Sequence, residues 1–167
     1  NADFLRLDLQ QETSDGLYVI GSGAADAVTL GGGDDTVSMG NGDDFVNATL
    51  VSDDSINLGA DNDTVAFGTE LSSADTIDGE AGIDTLLFEG SASNNTALDN
   101  VRNVEYVSVT GTNVYLTLSN AMVASADAQL TIDASSAGSM GSRRDRMARV
   151  GLGAPACACC LPEIRRS

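Results

Sequence analysis

LGGGDDTVS (residues 30–38) is followed without a break by MGNGDDFVN (39–47), and these two nonapeptides share one frame. Each reads apolar, Gly, x, Gly, Asp, Asp, x, Val, polar. Upstream, GSGAADAVT (21–29) fits the same frame. Downstream, Ala48 interrupts it, and TLVSDDSIN (49–57) and LGADNDTVA (58–66) resume it. Residues 67–69 are a second interruption before ELSSADTID (70–78) and GEAGIDTLL (79–87). With Asp as the anchor at position six, the anchors are Asp26, Asp35, Asp44, Asp54, Asp63, Asp75 and Asp84. Position eight was not used to set the frame, yet it is always aliphatic: Val28, Val37, Val46, Ile56, Val65, Ile77 and Leu86.

A unit of this kind is a turn followed by a short strand. Glycine supplies positive φ and lets carbonyls converge, so the G-x-G-x-D part turns the chain. The next residues alternate, and Val28/Leu30, Val37/Met39, Ile56/Leu58 and Val65/Phe67 each put two apolar side chains on one face. Two units make a coil of about 18 residues with a strand on each side. Stacked coils pair their strands in parallel and bury the aliphatic residues between two thin sheets. The aspartates then line up in rows along both edges.

The charge needs an explanation of its own. The chain carries 25 acidic residues against eight basic ones, a formal charge of −17. Residues 1–140 hold 23 acids and only Arg6 and Arg102, while residues 141–167 hold six Arg against Asp145 and Glu163. Between residues 21 and 90 there are 15 acids and no basic residue. Such a window ordinarily reads as disordered, but regular Val, Ile and Leu argue for a fold. Closely spaced carboxylates without counter-charges call for hard, oxygen-ligated cations.

These segments resemble the RTX nonapeptide G-G-x-G-x-D-x-U-x, with U a large aliphatic residue. The likeness is strongest at Gly31–Val37, Gly40–Val46, Gly59–Val65 and Gly79–Leu86. It implies an all-β fold, a right-handed parallel β-roll passing into a β-helix, with several Ca²⁺ ions held between turns. The resemblance assigns carboxylate ligands to Asp35, Asp44, Asp63 and Asp84 first, then to Asp26 and Asp54, then to Asp75. It assigns backbone carbonyl ligands to Gly31, Gly33, Gly40, Gly42, Gly59 and Gly82. Several units depart from the pattern; in 49–57 and 70–78, Leu50 and Ser52, and Leu71 and Ser73, stand where glycines belong. Those turns are expected to bind weakly or merely to complete the coil. Asp34, Asp43 and Asp53, next to the anchors, are expected to strengthen the negative field. Repulsion within metal-free aspartate rows implies that folding is coupled to calcium binding. The alternative is a calcium-free β-helix with an acidic solvated face.

The array divides the chain into residues 1–20, an N-terminal β cap; 21–87, the roll; 88–140, a β-helix-like continuation; and 141–167, an atypical tail. In the first part, Phe4–Leu9 alternates and Leu17–Ile20 is apolar, so these segments cap or begin the coil. A partner-binding edge is the alternative. In the third part, Val104–Val109, Val114–Leu118 and Gln129–Asp133 are strand-like, Thr110–Asn113 reads as a turn, and Ser119–Val123 as one helical turn. This part more loosely resembles regions beside RTX arrays in bacterial S-layer-type surface proteins. The tail carries Arg143, Arg144 and Arg146 and then Cys157, Cys159 and Cys160. One C-x-x-C spacing is weak support for zinc or redox chemistry. The tail reads as a non-homologous terminus, with a docking tail as the alternative.

Several function classes are excluded or disfavoured. Without any His, neither a Ser–His–Asp nor a Cys–His mechanism is open to this chain, nor is a His-ligated zinc site. The acidity argues against nucleic acid as a partner. No apolar run approaches the roughly 18 residues of a membrane span. The chain shows no initiator Met and no signal-peptide pattern, which reads as a processed chain or an excised fragment. A carboxylate glycosidase lacks its aromatic platforms, as there is no Trp. The expectation is a non-enzymatic, calcium-binding structural module of a secreted or cell-surface bacterial protein, of S-layer, adhesin or filament type, with self-association or other surface components as partners. The alternative is the folding and secretion module of an RTX enzyme or toxin.

Overall fold

The computed structural model describes residues 3–90, 96–111, 117–118, 122, 130–135 and 151–152. Strand β1 (Arg6–Asp8) is followed by β2 (Tyr18–Ile20), β3 (Ala27–Thr29), β4 (Thr36–Asn41), β5 (Phe45–Asn47), β6 (Ser55–Ala60) and β7 (Thr64–Phe67). Then come β8 (Thr76–Asp78), β9 (Thr85–Gly90), β10 (Val101–Arg102), β11 (Tyr106–Gly111), β12 (Thr117–Leu118), β13 (Thr131–Asp133) and β14 (Gly151–Leu152). The odd-numbered strands β1 to β13 stack in chain order as one seven-stranded sheet. The even-numbered strands β2 to β10 stack as a five-stranded sheet, and β12 pairs with β14 separately. Every pairing in the two main sheets is parallel. The chain is therefore an all-β parallel solenoid of about five coils.

The register stacks like on like. Val28, Val46, Val65, Leu86 and Val107 are successive partners in one sheet. Val19, Val37, Ile56, Ile77 and Val101 are successive partners in the other. These are the position-eight residues and their counterparts outside the array, and all are buried. A second inward rank (Leu30, Met39, Leu58, Phe67, Phe88, Val109) completes the core between the sheets. Each such side chain withdrawn from water contributes about 1.5–3 kcal/mol, so a thin core holds by repetition.

The two edges of the solenoid differ. From the five-stranded to the seven-stranded sheet the half-coil is nine residues in four successive coils: Tyr18 to Ala27, Thr36 to Phe45, Ser55 to Thr64 and Thr76 to Thr85. This is the tight edge. The return path varies: Ala27 to Thr36 is nine residues, Phe45 to Ser55 ten and Thr64 to Thr76 twelve. Both interruptions of the repeat, Ala48 and residues 67–69, thus fall on the loop edge. Ala48 and Phe67 are buried and extend the inner rank.

The flanks join the same stack. Residues 6–8 and 18–20 form the first coil, with β1 pairing with β3 and β2 with β4. Beyond the array, β9, β10, β11 and β13 carry both sheets onward. Thr110 and Gly111, where the sequence suggests a turn, continue β11 because Glu89 and Gly90 of β9 lie alongside them. Strands β4 and β6 likewise run on through Gly40 and Gly59, which pair with each other. Before Asp44 and Asp63 the tight-edge turn therefore shrinks to its last residues. Residues 112–116 and the expected helical turn at 119–123, Met122 apart, lie outside the described residues. So does the tail, apart from β14.

Candidate functional site

Position six closes each turn, and its side chain folds inward. Asp26, Asp35, Asp44, Asp54, Asp63, Asp75 and Asp84 are each no more than 3% exposed. They form two rows, Asp26, Asp44, Asp63 and Asp84 along the tight edge and Asp35, Asp54 and Asp75 along the loop edge. Within a row each carboxylate accepts the backbone N–H of its counterpart one coil earlier. On the tight edge the N–H groups of Asp26, Asp44 and Asp63 donate to Oδ1 of Asp44, Asp63 and Asp84 at 2.7, 2.7 and 2.9 Å. On the loop edge those of Leu17, Asp35 and Asp54 donate to Oδ1 of Asp35, Asp54 and Asp75 at 2.8, 3.0 and 2.9 Å. One carboxylate oxygen of each aspartate is thereby committed to stitching coils together.

The second oxygen separates the seven into two kinds. In Asp54 it accepts from Ser52 Oγ (3.1 Å), and in Asp75 from the Ser72 N–H (2.8 Å). In Asp26 both oxygens are engaged, by the N–H groups of Leu5 and Ser22 and by Ser22 Oγ. In Asp35, Asp44, Asp63 and Asp84, Oδ2 is buried and has no hydrogen-bond partner. Those four belong to the units that best match the nonapeptide. The three satisfied carboxylates are met by a serine hydroxyl (Ser22, Ser52) or by a serine backbone N–H (Ser22, Ser72). Leaving a buried charged acceptor unsatisfied costs a few kcal/mol per group.

Carbonyl oxygens crowd the same turns. A Cβ on Gly59 would lie 1.9 Å from the Gly40 carbonyl oxygen, and one on Gly82 1.7 Å from that of Asp61. Gly40, Gly42, Gly59 and Gly33 all have φ between +88° and +111°, where other residues are strained. Asp61 (φ 85°) and Glu80 (φ 63°) adopt the same left-handed conformation without being glycine. Of the expected carbonyl ligands, Gly59 already accepts the Ala81 N–H at 3.0 Å and retains a second lone pair. Gly31 and Gly33 lie on the loop edge, and Gly40, Gly42, Gly59 and Gly82 on the tight edge. Asp34 and Asp43 form an outer, exposed ladder, accepting the N–H groups of Asp53 and Asn62 at 3.1 and 3.0 Å. Among the described residues no three acidic, His or Cys side chains converge. An ion here would draw on one or two carboxylates, backbone carbonyls and water, which suits the six to eight oxygens around calcium.

Burial raises the proton affinity of these rows. It lifts Asp63 to about 7, helped by the neighbouring Asp44 and Asp84 charges. It lifts Asp44, Asp54 and Asp84 to about 6. Asp35 is also raised, by burial and by the Glu12 and Asp34 charges. Asp26 moves the other way: burial pushes it up, but the Leu5 and Ser22 hydrogen bonds outweigh that and lower it. Fixed amide donors therefore offset burial at the row's start, and like charge compounds it further along.

Two features are absent from the nonapeptide reading. Ser22, Ser52 and the Ser72 backbone supply the donors that meet the carboxylates of Asp26, Asp54 and Asp75. Glu105, 7% exposed, extends the tight-edge row: its Oε2 accepts the Asp84 N–H at 2.9 Å. Its signal in the sequence is Glu105-Tyr106-Val107, which repeats the acid–x–aliphatic order of Asp84-Thr85-Leu86. Comparison with family models, with curated proteins and with solved structures finds no match to this chain.

Proposed function

We propose that this chain is a non-enzymatic, calcium-binding structural module of RTX type, belonging to a secreted or cell-surface bacterial protein. The observation that carries this reading is the set of four buried, unpartnered Oδ2 atoms on Asp35, Asp44, Asp63 and Asp84. They occur in the units where glycine-rich turns bring carbonyl oxygens close, and in none of the units where serine completes the site. A hard divalent cation converts this repulsion into coordination, and calcium accepts the irregular, carbonyl-rich shell that magnesium resists. Binding then becomes folding free energy. A chain extended at low calcium and rigid at millimolar calcium suits a component that matures outside the cell.

The test is far-UV circular dichroism of the whole chain, titrated from chelator to about 10 mM calcium, the range of weak extracellular sites, with magnesium as the control. A cooperative coil-to-β transition with calcium alone is the expected result. A β spectrum indifferent to chelator and calcium overturns the reading. Light scattering on the same samples separates the surface-assembly role from that of an isolated module: large assemblies appear with calcium in the first case, and a monomer persists in the second.

A further inference from the structure

The tight-edge row does not end with the last nonapeptide. We propose that Asp84 and Glu105 hold an additional calcium ion one coil beyond the repeat array, at a site that no nonapeptide encodes; this rests on the calcium reading above.

The local geometry repeats that of the earlier steps. Asp63 donates its N–H to Asp84, and Asp84 donates its own to Glu105, both at 2.9 Å. Asp84 is fully buried and its Oδ2 has no partner. That oxygen and the Asn103 carbonyl oxygen both close on Gly79: a Cβ built there would lie 2.5 Å from Asp84 Oδ2 and 1.8 Å from the Asn103 oxygen. A carboxylate oxygen and a carbonyl oxygen from adjacent coils thus converge on one residue, and only glycine lets them come so close. Asn103 has φ 52°, a left-handed bend in the chain at this point.

Asp78 positions this group and is not itself a ligand. Its Oδ2 is held by Arg102 Nε at 2.8 Å, and its Oδ1 accepts from Asn103 Nδ2 at 2.7 Å and from the Glu80 N–H at 3.2 Å. Arg102 balances the Asp78 charge, and Asp78 anchors Asn103. Among the described residues no ion pair is made to Asp84 or Glu105.

The turn before Glu105 is shorter than the others. Ile77 and Leu86 are nine residues apart, but their partners Val101 and Val107 are only six apart. The fifth turn is three residues shorter than its predecessors. Tyr106 and Val107 still pair with Thr85 and Leu86, so Glu105 keeps the acid's place in the row and its carboxylate meets the Asp84 amide. A search for G-x-D cannot find such a site, because the turn before the acid is shorter and lacks glycine, and the acid is glutamate.

Native mass spectrometry of the full chain, counting calcium ions near saturation, tests this. Glu105→Gln keeps an oxygen to accept the Asp84 N–H and removes only the charge, so the fold is retained. The variant should bind one calcium ion fewer than wild type, as should Asp44→Asn in the array. An unchanged count in Glu105→Gln beside a reduced count in Asp44→Asn overturns this site and leaves the calcium reading intact. A wild-type chain that binds no calcium overturns both. Terbium luminescence excited through tyrosine checks the site without touching Glu105. Tyr106 adjoins it, so Tyr106→Phe should lose much of the sensitised signal, and an undiminished signal counts against an ion there.

Discussion

Acidification in the presence of a chelator should fold the chain. The carboxylates of Asp44, Asp54, Asp63 and Asp84 bind protons more tightly in the solenoid than in an unfolded chain, where an aspartate titrates near 3.8. A raised native pKa means that the folded state holds more protons between about pH 4 and 7, so stability falls as pH rises through that window. From pH 8 down to pH 5, Asp63, at about 7, recovers about 3 kcal/mol, and each of the other three, at about 6, recovers about 1 kcal/mol. Solvent screening at the edges and coupling within each row halve the total to about 3 kcal/mol. That is roughly a hundredfold in the ratio of folded to unfolded chain, a large part of a domain's usual margin. The assay is circular dichroism of dilute protein in chelator, stepped between pH 8 and pH 5. The β signal should grow on acidification without calcium. With calcium the order reverses, because protons compete for the same oxygens and the calcium midpoint should rise as pH falls below about 7. A chelated chain whose spectrum is identical at both pH values, or which loses β structure at pH 5, refutes the argument that buried like charge is what opposes folding.

Removing one carboxylate charge should discriminate between the two kinds of aspartate. Asp44→Asn should raise the calcium midpoint by about tenfold or more, whereas Asp75→Asn, whose Oδ2 is already met by Ser72, should shift it far less; equal shifts in a titration followed by circular dichroism contradict the assignment. Gly59→Ala places a methyl group 1.9 Å from the Gly40 carbonyl oxygen at φ 107° and should destabilise the calcium-bound chain by about 3 kcal/mol or more in urea unfolding. Glu80→Gly relieves a left-handed residue at φ 63° and should stabilise the same state by up to about 1 kcal/mol, the loss of its exposed bond from Asn57 reducing the gain. Leu86→Ala empties a fully buried position in the stacked rank and should cost about 2–5 kcal/mol.

The fold was readable because one period controls it. Nine residues per half-coil and an aliphatic residue at position eight together dictate two parallel sheets with stacked ranks, and the register pairs Val28, Val46 and Val65 as that period requires. The period could not say how far each strand runs. Gly40 and Gly59 look like turn residues, yet a glycine also pairs well in parallel with another glycine when a carbonyl must approach closely. The row of carboxylates was legible from the aspartates, but the fate of each second oxygen was not. That depends on whether a serine in the turn reaches back, as Ser52 does to Asp54, and reach is a property of three-dimensional geometry rather than spacing. Glu105 is hidden from the motif for a related reason: it keeps the acid's place before an aliphatic residue, but the turn ahead of it is shorter and holds no glycine.

The contrast between the two edges bears on what can be added to this molecule. Extra length enters only on the return path, where the connection between β5 and β6 carries Val51 with 77% of its surface exposed. Asp35, Asp54 and Asp75 still stitch neighbouring coils on that edge, although the connections between them differ in length. Guest peptides spliced between Thr49 and Ser52, and at the matching point near Thr69, would therefore project from one flank of a rod, two coils' worth of cargo separated by about 5 Å. A closely spaced display of different sequences on one face is a geometry that globular carriers with scattered loops do not offer.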